Sequence, residues 1–186
     1  EKFDIPKGKK VILYAPTWRD SADGGSNYTI APPIDISKWQ EKLGEDYVVI
    51  FRMHHLSTKL LGINFDDFVR DGSKEQNVNE LLMIADVLIT DYSSIAFDYA
   101  ILKKPIIAFA YDYEEYLETR GLNEDLYTMF KGSVFKTEDE VINHITNMNA
   151  EEELEKSNRI CARYVEANGN ATEVCMNFLK ERIGSR

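Results

Sequence analysis

The chain has 186 residues, 44% hydrophobic and 29% charged, a size and balance that suit one soluble folded domain with a substantial core rather than two full domains. Its formal net charge of −10 excludes a general nucleic-acid binder, which needs clustered Lys and Arg. No apolar run approaches a membrane span, and the polar start Glu1-Lys2-Phe3-Asp4 does not read as a signal peptide.

The missing initial Met predicts a processed product or a piece of something longer. Cys161 and Cys175 lack metal-site spacing, so reduced thiols in a cytoplasmic protein are expected. Three histidines without a cysteine or carboxylate cluster at ligand spacing predict no metal.

In chain order, Val11-Ile12-Leu13-Tyr14 predicts a first buried strand, ended by Ala15-Pro16 and followed by Thr17-Trp18-Arg19-Asp20. Residues 21–27 are polar and Gly-rich, a loop of the kind that holds ligands at strand ends in α/β proteins. Residues 36–43 predict an amphipathic helix with Trp39 and Leu43 on one face, and residues 47–51 a second strand from which Arg52-Met53-His54-His55 emerges. Residues 60–69 fit no single element; Phe68-Val69 can form a short strand before the turn at Asp71-Gly72. Residues 79–85 predict a helix with Leu81, Leu82 and Ala85 facing inwards.

Val87-Leu88-Ile89 is a branched apolar strand, while Ile95, Phe97, Ala100 and Ile101 recur at helical spacing, so the period switches across Thr90-Asp91-Tyr92-Ser93-Ser94. Ser93 or Ser94 can cap the new helix, whose first-turn N–H groups would then form an anion site. Asp98, one turn on, can accept hydrogen bonds from a ribose, as in dinucleotide folds. Serine caps also open many helices that bind nothing.

Lys103-Lys104-Pro105 stops that helix before a strand at 106–110. Tyr111-Asp112-Tyr113-Glu114-Glu115-Tyr116 is acidic and aromatic, and residues 121–132 predict an irregular crossing anchored by Tyr127 and Phe130. Val134-Phe135 adds an edge strand. Thr137-Glu138-Asp139-Glu140 has capping-box spacing, so a helix starts there. Further helices are predicted at 151–166 and 171–182, with Glu151-Glu152-Glu153 as a solvated helix start. The alternation predicts an α/β fold: a Rossmann-like parallel sheet with flanking helices, right-handed crossovers and ligands beyond the carboxyl ends of the strands. Residues 137–186 form its helical carboxyl-terminal part.

Arg19, His54 and Ser93 would converge at those strand ends. His54 and His55, as neighbours in extended chain, point to opposite sides, so only one faces the cleft. Arg52 beside His54 can hold a pyrophosphate, with the histidine as hydrogen-bond donor or proton source for a leaving phosphate. Arg19 reads equally as phosphate clamp or surface residue, and Asp91 as a group orienting the serine turn. No P-loop, GxGxxG or nucleophile elbow is present.

Tyr14-Ala15-Pro16-Thr17-Trp18-Arg19-Asp20, Arg52-Met53-His54 and the stretch from Asp86 to Ser94 followed by Asp98 resemble, in this order, the CDP-glycerol glycerophosphotransferases, the teichoic-acid polymerases. Lys104-Pro105-Ile106-Ile107 and Tyr111 to Tyr116 extend the resemblance. It implies a GT-B-like architecture of two Rossmann-type halves, with this chain as the carboxyl-terminal, donor-binding half. It further implies transfer of glycerol phosphate from CDP-glycerol to a teichoic-acid or capsule-like polymer, release of CMP, and no cofactor. By that resemblance His54 contacts the donor pyrophosphate, Ser93 and Ser94 bind phosphate oxygens and Asp98 holds the ribose, with Thr17, Arg19, Arg52 and Asp91 around the donor. The family's acceptor base, in a His-Gly-Thr-Pro motif of the other half, has no counterpart here, so the chain alone should bind without turnover. The full-length enzyme is expected at the inner face of the cell membrane. The alternatives are a sugar-nucleotide glycosyltransferase or epimerase half, and a flavodoxin-like interaction module.

Overall fold

Four apolar runs build the centre of the sheet because each is covered on both faces. In chain order the elements are β1 (Lys10–Tyr14), β2 (Tyr28–Ile30), α1 (Ile36–Leu43), β3 (Tyr47–Phe51), β4 (Ser57–Leu60), β5 (Val69–Asp71), α2 (Val78–Ile84), β6 (Val87–Thr90), α3 (Ile95–Ala100), β7 (Ile106–Phe109), α4 (Tyr113–Thr119), α5 (Leu126–Met129), β8 (Val134–Phe135), α6 (Glu138–Asn147), α7 (Ala150–Tyr164) and α8 (Ala171–Ile183). The computed structural model describes residues 3–19, 28–30, 32–53, 57–60, 63–166 and 169–184.

The six-stranded sheet runs β5-β3-β1-β6-β7-β8, parallel at every junction. Side chains alternate between its faces. Val11, Leu13, Val48, Ile50 and Leu88 pack with α2, α3, α5 and α7 through Leu81, Tyr99, Leu126 and Ile160. Ile12, Tyr14, Val49, Phe51 and Ile89 pack on the other face with Trp39 and Leu43 of α1 and with Val141, Ile142 and Ile145 of α6. This two-sided burial explains why these strands read as continuous apolar runs. After β1 the sheet grows to one side through β3 and β5; α2 then returns the chain to lay β6 on the other side of β1. The reversal falls between β1 and β6, where such sheets open a crevice beyond their carboxyl ends.

Gly72 is needed at the end of β5: a Cβ there would lie 2.6 Å from Ile50 Cγ2, while its N–H bonds to the Phe51 carbonyl at 2.8 Å. The capping box of α6 forms as its spacing predicts, with Glu140 N–H donating to Thr137 Oγ1 and Thr137 N–H to Glu140 Oε2.

Three expectations change. The third main-sheet strand is Val69–Asp71, and Ser57–Leu60 is a separate strand paired in parallel with Tyr28–Ile30. The crossing at 121–132 contains α5, and its anchors are Leu126 and Phe130; Tyr127 is exposed and meets Tyr113 edge-on. The acidic run opening α7 is not wholly solvated, because Glu153 is 1% exposed and paired with Lys156 at 2.6 Å and His144 at 3.2 Å. The last helix, α8, buries nothing along its length. Among the described residues no helix is long and apolar enough to cross a membrane.

Candidate functional site

At the switch point, Asp91 directly follows β6 and receives the chain that leaves β1. Its Oδ1 accepts from the Thr17 N–H at 2.8 Å, the Thr17 hydroxyl at 2.5 Å and the Tyr92 N–H at 2.7 Å. Its Oδ2 accepts from Arg19 Nη2 at 2.9 Å. Arg19 also donates through Nε and Nη2 to Asp112, at 2.6 and 3.0 Å, and through Nη1 to the Thr17 carbonyl at 2.6 Å. Asp112 stands just before α4 and takes a further hydrogen bond from the Tyr92 hydroxyl at 2.9 Å. Rings of Tyr92, Tyr116 and Tyr111 surround the guanidinium at 5.1, 5.2 and 5.5 Å, with Tyr92 and Tyr116 stacked at 3.7 Å. One cation thus joins the loops after β1, β6 and β7.

The electrostatics follow from burial. Burial opposes the Arg19 charge, but the hydrogen bond to Asp112 and the field of Asp91 outweigh it and raise its pKa. Burial pushes the Asp91 carboxyl up, and Arg19 and the Thr17 hydrogen bonds offset it in part. Tyr111 is pushed up to about 12, again by burial, and stays a neutral phenol.

Arg19 is therefore neither surface residue nor open clamp: it is locked between two carboxylates. Thr17 and Asp91 likewise brace the site's wall, Asp91 through its neighbour's backbone as expected and through Thr17 and Arg19 besides. Arg52 reaches across to the Gly72 and Glu75 carbonyls at 3.3 and 2.6 Å, and burial lowers its pKa. The start of α3 differs from the expected anion site. Ile95, Ala96 and Phe97 N–H groups bond to Ser93 Oγ, the Ser93 carbonyl and the Ser94 carbonyl, so these donors are already engaged. Ser93 supplies the local cap; Ser94 makes no capping bond and stays exposed. Asp98 is exposed one turn along α3. His54 and His55 lie outside the described residues.

Two crevices flank this turn and share Ser93. The smaller, about 220 Å³, is lined by Thr17, Trp18, Arg52, Met53 and Ser93. The larger, about 610 Å³, opens between the serine turn, residues 120–124 and Tyr164. Arg120 stacks over Trp18 at 4.1 Å, linking their rims. Among the described residues there is no cluster of three or more side chains suited to a metal. Asp112, Tyr92 and Arg120 were not among the predicted site residues; the signal available was the acidic aromatic run after β7, together with the need of a buried Arg19 for counter-charge.

Fold and crevice define a Rossmann-like α/β unit like one half of a GT-B enzyme. The family model described as CDP-Glycerol:Poly(glycerophosphate) glycerophosphotransferase matches residues 1–180, and the chain belongs to this family. It is 40% identical over 154 residues to a teichoic acid poly(glycerol phosphate) polymerase of Bacillus subtilis strain 168, covering 80% of this chain and 20% of that protein. It is 38% identical over 146 residues to a teichoic acid poly(ribitol-phosphate) polymerase of Bacillus spizizenii, covering 77% of this chain and 23% of that protein. Among solved structures, a His-to-Asn variant of the wall teichoic acid polymerase TagF, soaked with CDPG, matches with TM-score 0.76 and 33% identity over 99% of this chain and 45% of that one. The chain spans about a fifth to a quarter of these two curated relatives.

Proposed function

We propose that this chain is the carboxyl-terminal, donor-binding half of a CDP-glycerol glycerophosphotransferase that passes glycerol phosphate, or a related polyol phosphate, to a teichoic-acid or capsule-like polymer and releases CMP. The observation that carries the reading is the family match over residues 1–180, joined to a switch-point crevice lined by Thr17, Arg52 and Ser93. In this reading the donor pyrophosphate lies over Ser93 and Ser94, with Arg52 and His54 beside it and Asp98 on the ribose. Thr17, Arg19 and Asp91 hold the wall rather than the ligand. An acceptor hydroxyl attacks the phosphorus that bears glycerol; its O–P bond forms as the P–O bond to CMP breaks. Positioning and charge stabilisation of the leaving CMP supply the catalysis. His54 is the proton source for that leaving phosphate, the acceptor base comes from an amino-terminal half, and no metal or cofactor takes part. The full-length enzyme would work at the inner membrane face, where its polymer acceptor is held.

Replacing Ser93→Ala together with Ser94→Ala tests the phosphate site. CDP-glycerol affinity should fall about tenfold, the equivalent of ~1.4 kcal/mol, with little change in the unfolding midpoint. Equal affinity by calorimetry would remove both hydroxyls from the donor site.

A further inference from the structure

The smaller crevice has a wall that the donor reading leaves without a task. At about 220 Å³ it falls short of the roughly 300 Å³ at which sites for drug-sized ligands begin, so it suits one end of the donor rather than the whole nucleotide. Thr17 and Arg19 are both tied to Asp91, which fixes the backbone on either side of Trp18. The Trp18 indole lines the crevice together with Met53 and Ile95. The Arg120 guanidinium, itself hydrogen-bonded to the Tyr116 hydroxyl, stacks on that indole at 4.1 Å and so braces it from α4. Polar groups are few here. The Thr17 hydroxyl is engaged by Asp91, and among the described residues lining the crevice there is no carboxylate or carboxamide side chain, the groups that read the edge of a base. Ser93 and Arg52 remain, the arginine steadied through Nη1 by the Gly72 and Glu75 carbonyls. An aromatic and thioether wall with one hydroxyl and one cation matches a short run of C–H groups joined to a phosphate.

We propose that Trp18 is a binding residue for the polyol end of the donor: its indole packs against the C–H groups of the glycerol, while Ser93 and Arg52 hold the phosphate next to it. This rests on the donor reading and deepens it by naming the side chain that tells CDP-glycerol from CDP. Asp98, to which that reading gives the ribose, is not among the described residues lining this crevice, so the nucleoside lies on the other side of Ser93 and the glycerol is the part of the donor left for Trp18. Arg120 braces the indole and not the ligand.

The test is acrylamide quenching of tryptophan fluorescence in the 186-residue chain, joined to calorimetry. The chain has two tryptophans and Trp39 is 0% exposed, so the quencher reports Trp18. Saturating CDP-glycerol should shield Trp18 from acrylamide, and saturating CDP should shield it far less. Trp18→Ala should weaken CDP-glycerol about tenfold and leave CDP within about twofold; Trp18→Phe, which keeps an aromatic face, should restore part of the loss. Equal shielding by the two ligands, or equal loss of affinity for both in a Trp18→Ala chain whose unfolding midpoint is unchanged, overturns the assignment and leaves the donor reading standing. CDP-glycerol that gives no binding heat with the wild-type chain refutes the donor reading and the assignment with it.

Discussion

Asp91 and Glu153 are both carboxylates with 1% of their surface exposed, and they do different work. Asp91 accepts four hydrogen bonds, from the Thr17 N–H, the Thr17 hydroxyl, the Tyr92 N–H and Arg19, and every one comes from a loop that walls the switch-point crevice. Glu153 is met by Lys156 and His144 through Oε1, and its Oε2 has no hydrogen-bond partner among the described residues. Lys156 continues to the Gly132 carbonyl, and the neighbouring Ser157 hydroxyl donates to the Lys104 carbonyl, so this cluster ties α7 to the segments entering β7 and β8. One buried charge braces the wall of the candidate site; the other fastens a helix. Burial alone does not distinguish them, but the origin of their partners does.

Substitutions can break that contrast. Asp91→Ala carries the largest expected effect: Arg19 loses one counter-charge in a buried setting and the Thr17 N–H loses its acceptor, costing about 3–5 kcal/mol. Urea unfolding should show the loss, and donor binding should vanish with it. Asp112→Asn should cost about 1.5–3 kcal/mol, the range for hydrogen bonds to charged groups, and weaken CDP-glycerol severalfold by loosening Tyr92. Stability lost with unchanged donor affinity would make the arginine cage structural only.

Glu153→Gln should cost about 1–2 kcal/mol and leave donor affinity as it was. Its pH dependence sharpens the comparison. Burial opposes the Glu153 charge, but His144 and Lys156 outweigh it and hold its pKa below the ordinary 4.5. A depressed folded pKa means that the native state binds fewer protons, so this stabilisation is present above about pH 4.5 and is lost as pH falls through the folded value. The gap in melting temperature between wild type and Glu153→Gln should therefore narrow on acidification; a gap that widens would contradict the pairing. Phe178→Ser, on the exposed face of α8, should fall within about 0.5 kcal/mol of wild type.

The sheet was legible because its strands announce themselves: β1, β3, β6 and β7 are branched or aromatic runs buried on both faces, and Thr137 to Glu140 carries its own capping chemistry. The serine turn after β6 was legible from the change of period. Less so was anything that depends on partners distant in the chain. Arg19 meets Asp112 across 93 positions, a pairing that no local pattern encodes. Glu153 sits in an acidic helix start that reads as solvated, and only tertiary packing against His144 of α6, added to Lys156 one turn along its own helix, turns one of its three glutamates inward. The short strand β4 has no apolar run to mark it. The α3 start looked like an open anion site because its sequence has cap residues; the tight turn that consumes its N–H groups is set by backbone geometry.

The central claim is tested most directly by isothermal titration of the 186-residue chain with CDP-glycerol, with CDP, CMP and UDP as comparisons. The donor-half reading predicts saturable binding of CDP-glycerol and CDP, with UDP weaker. UDP binding as tightly as CDP, or no binding of CDP-glycerol while the chain stays folded, would contradict it.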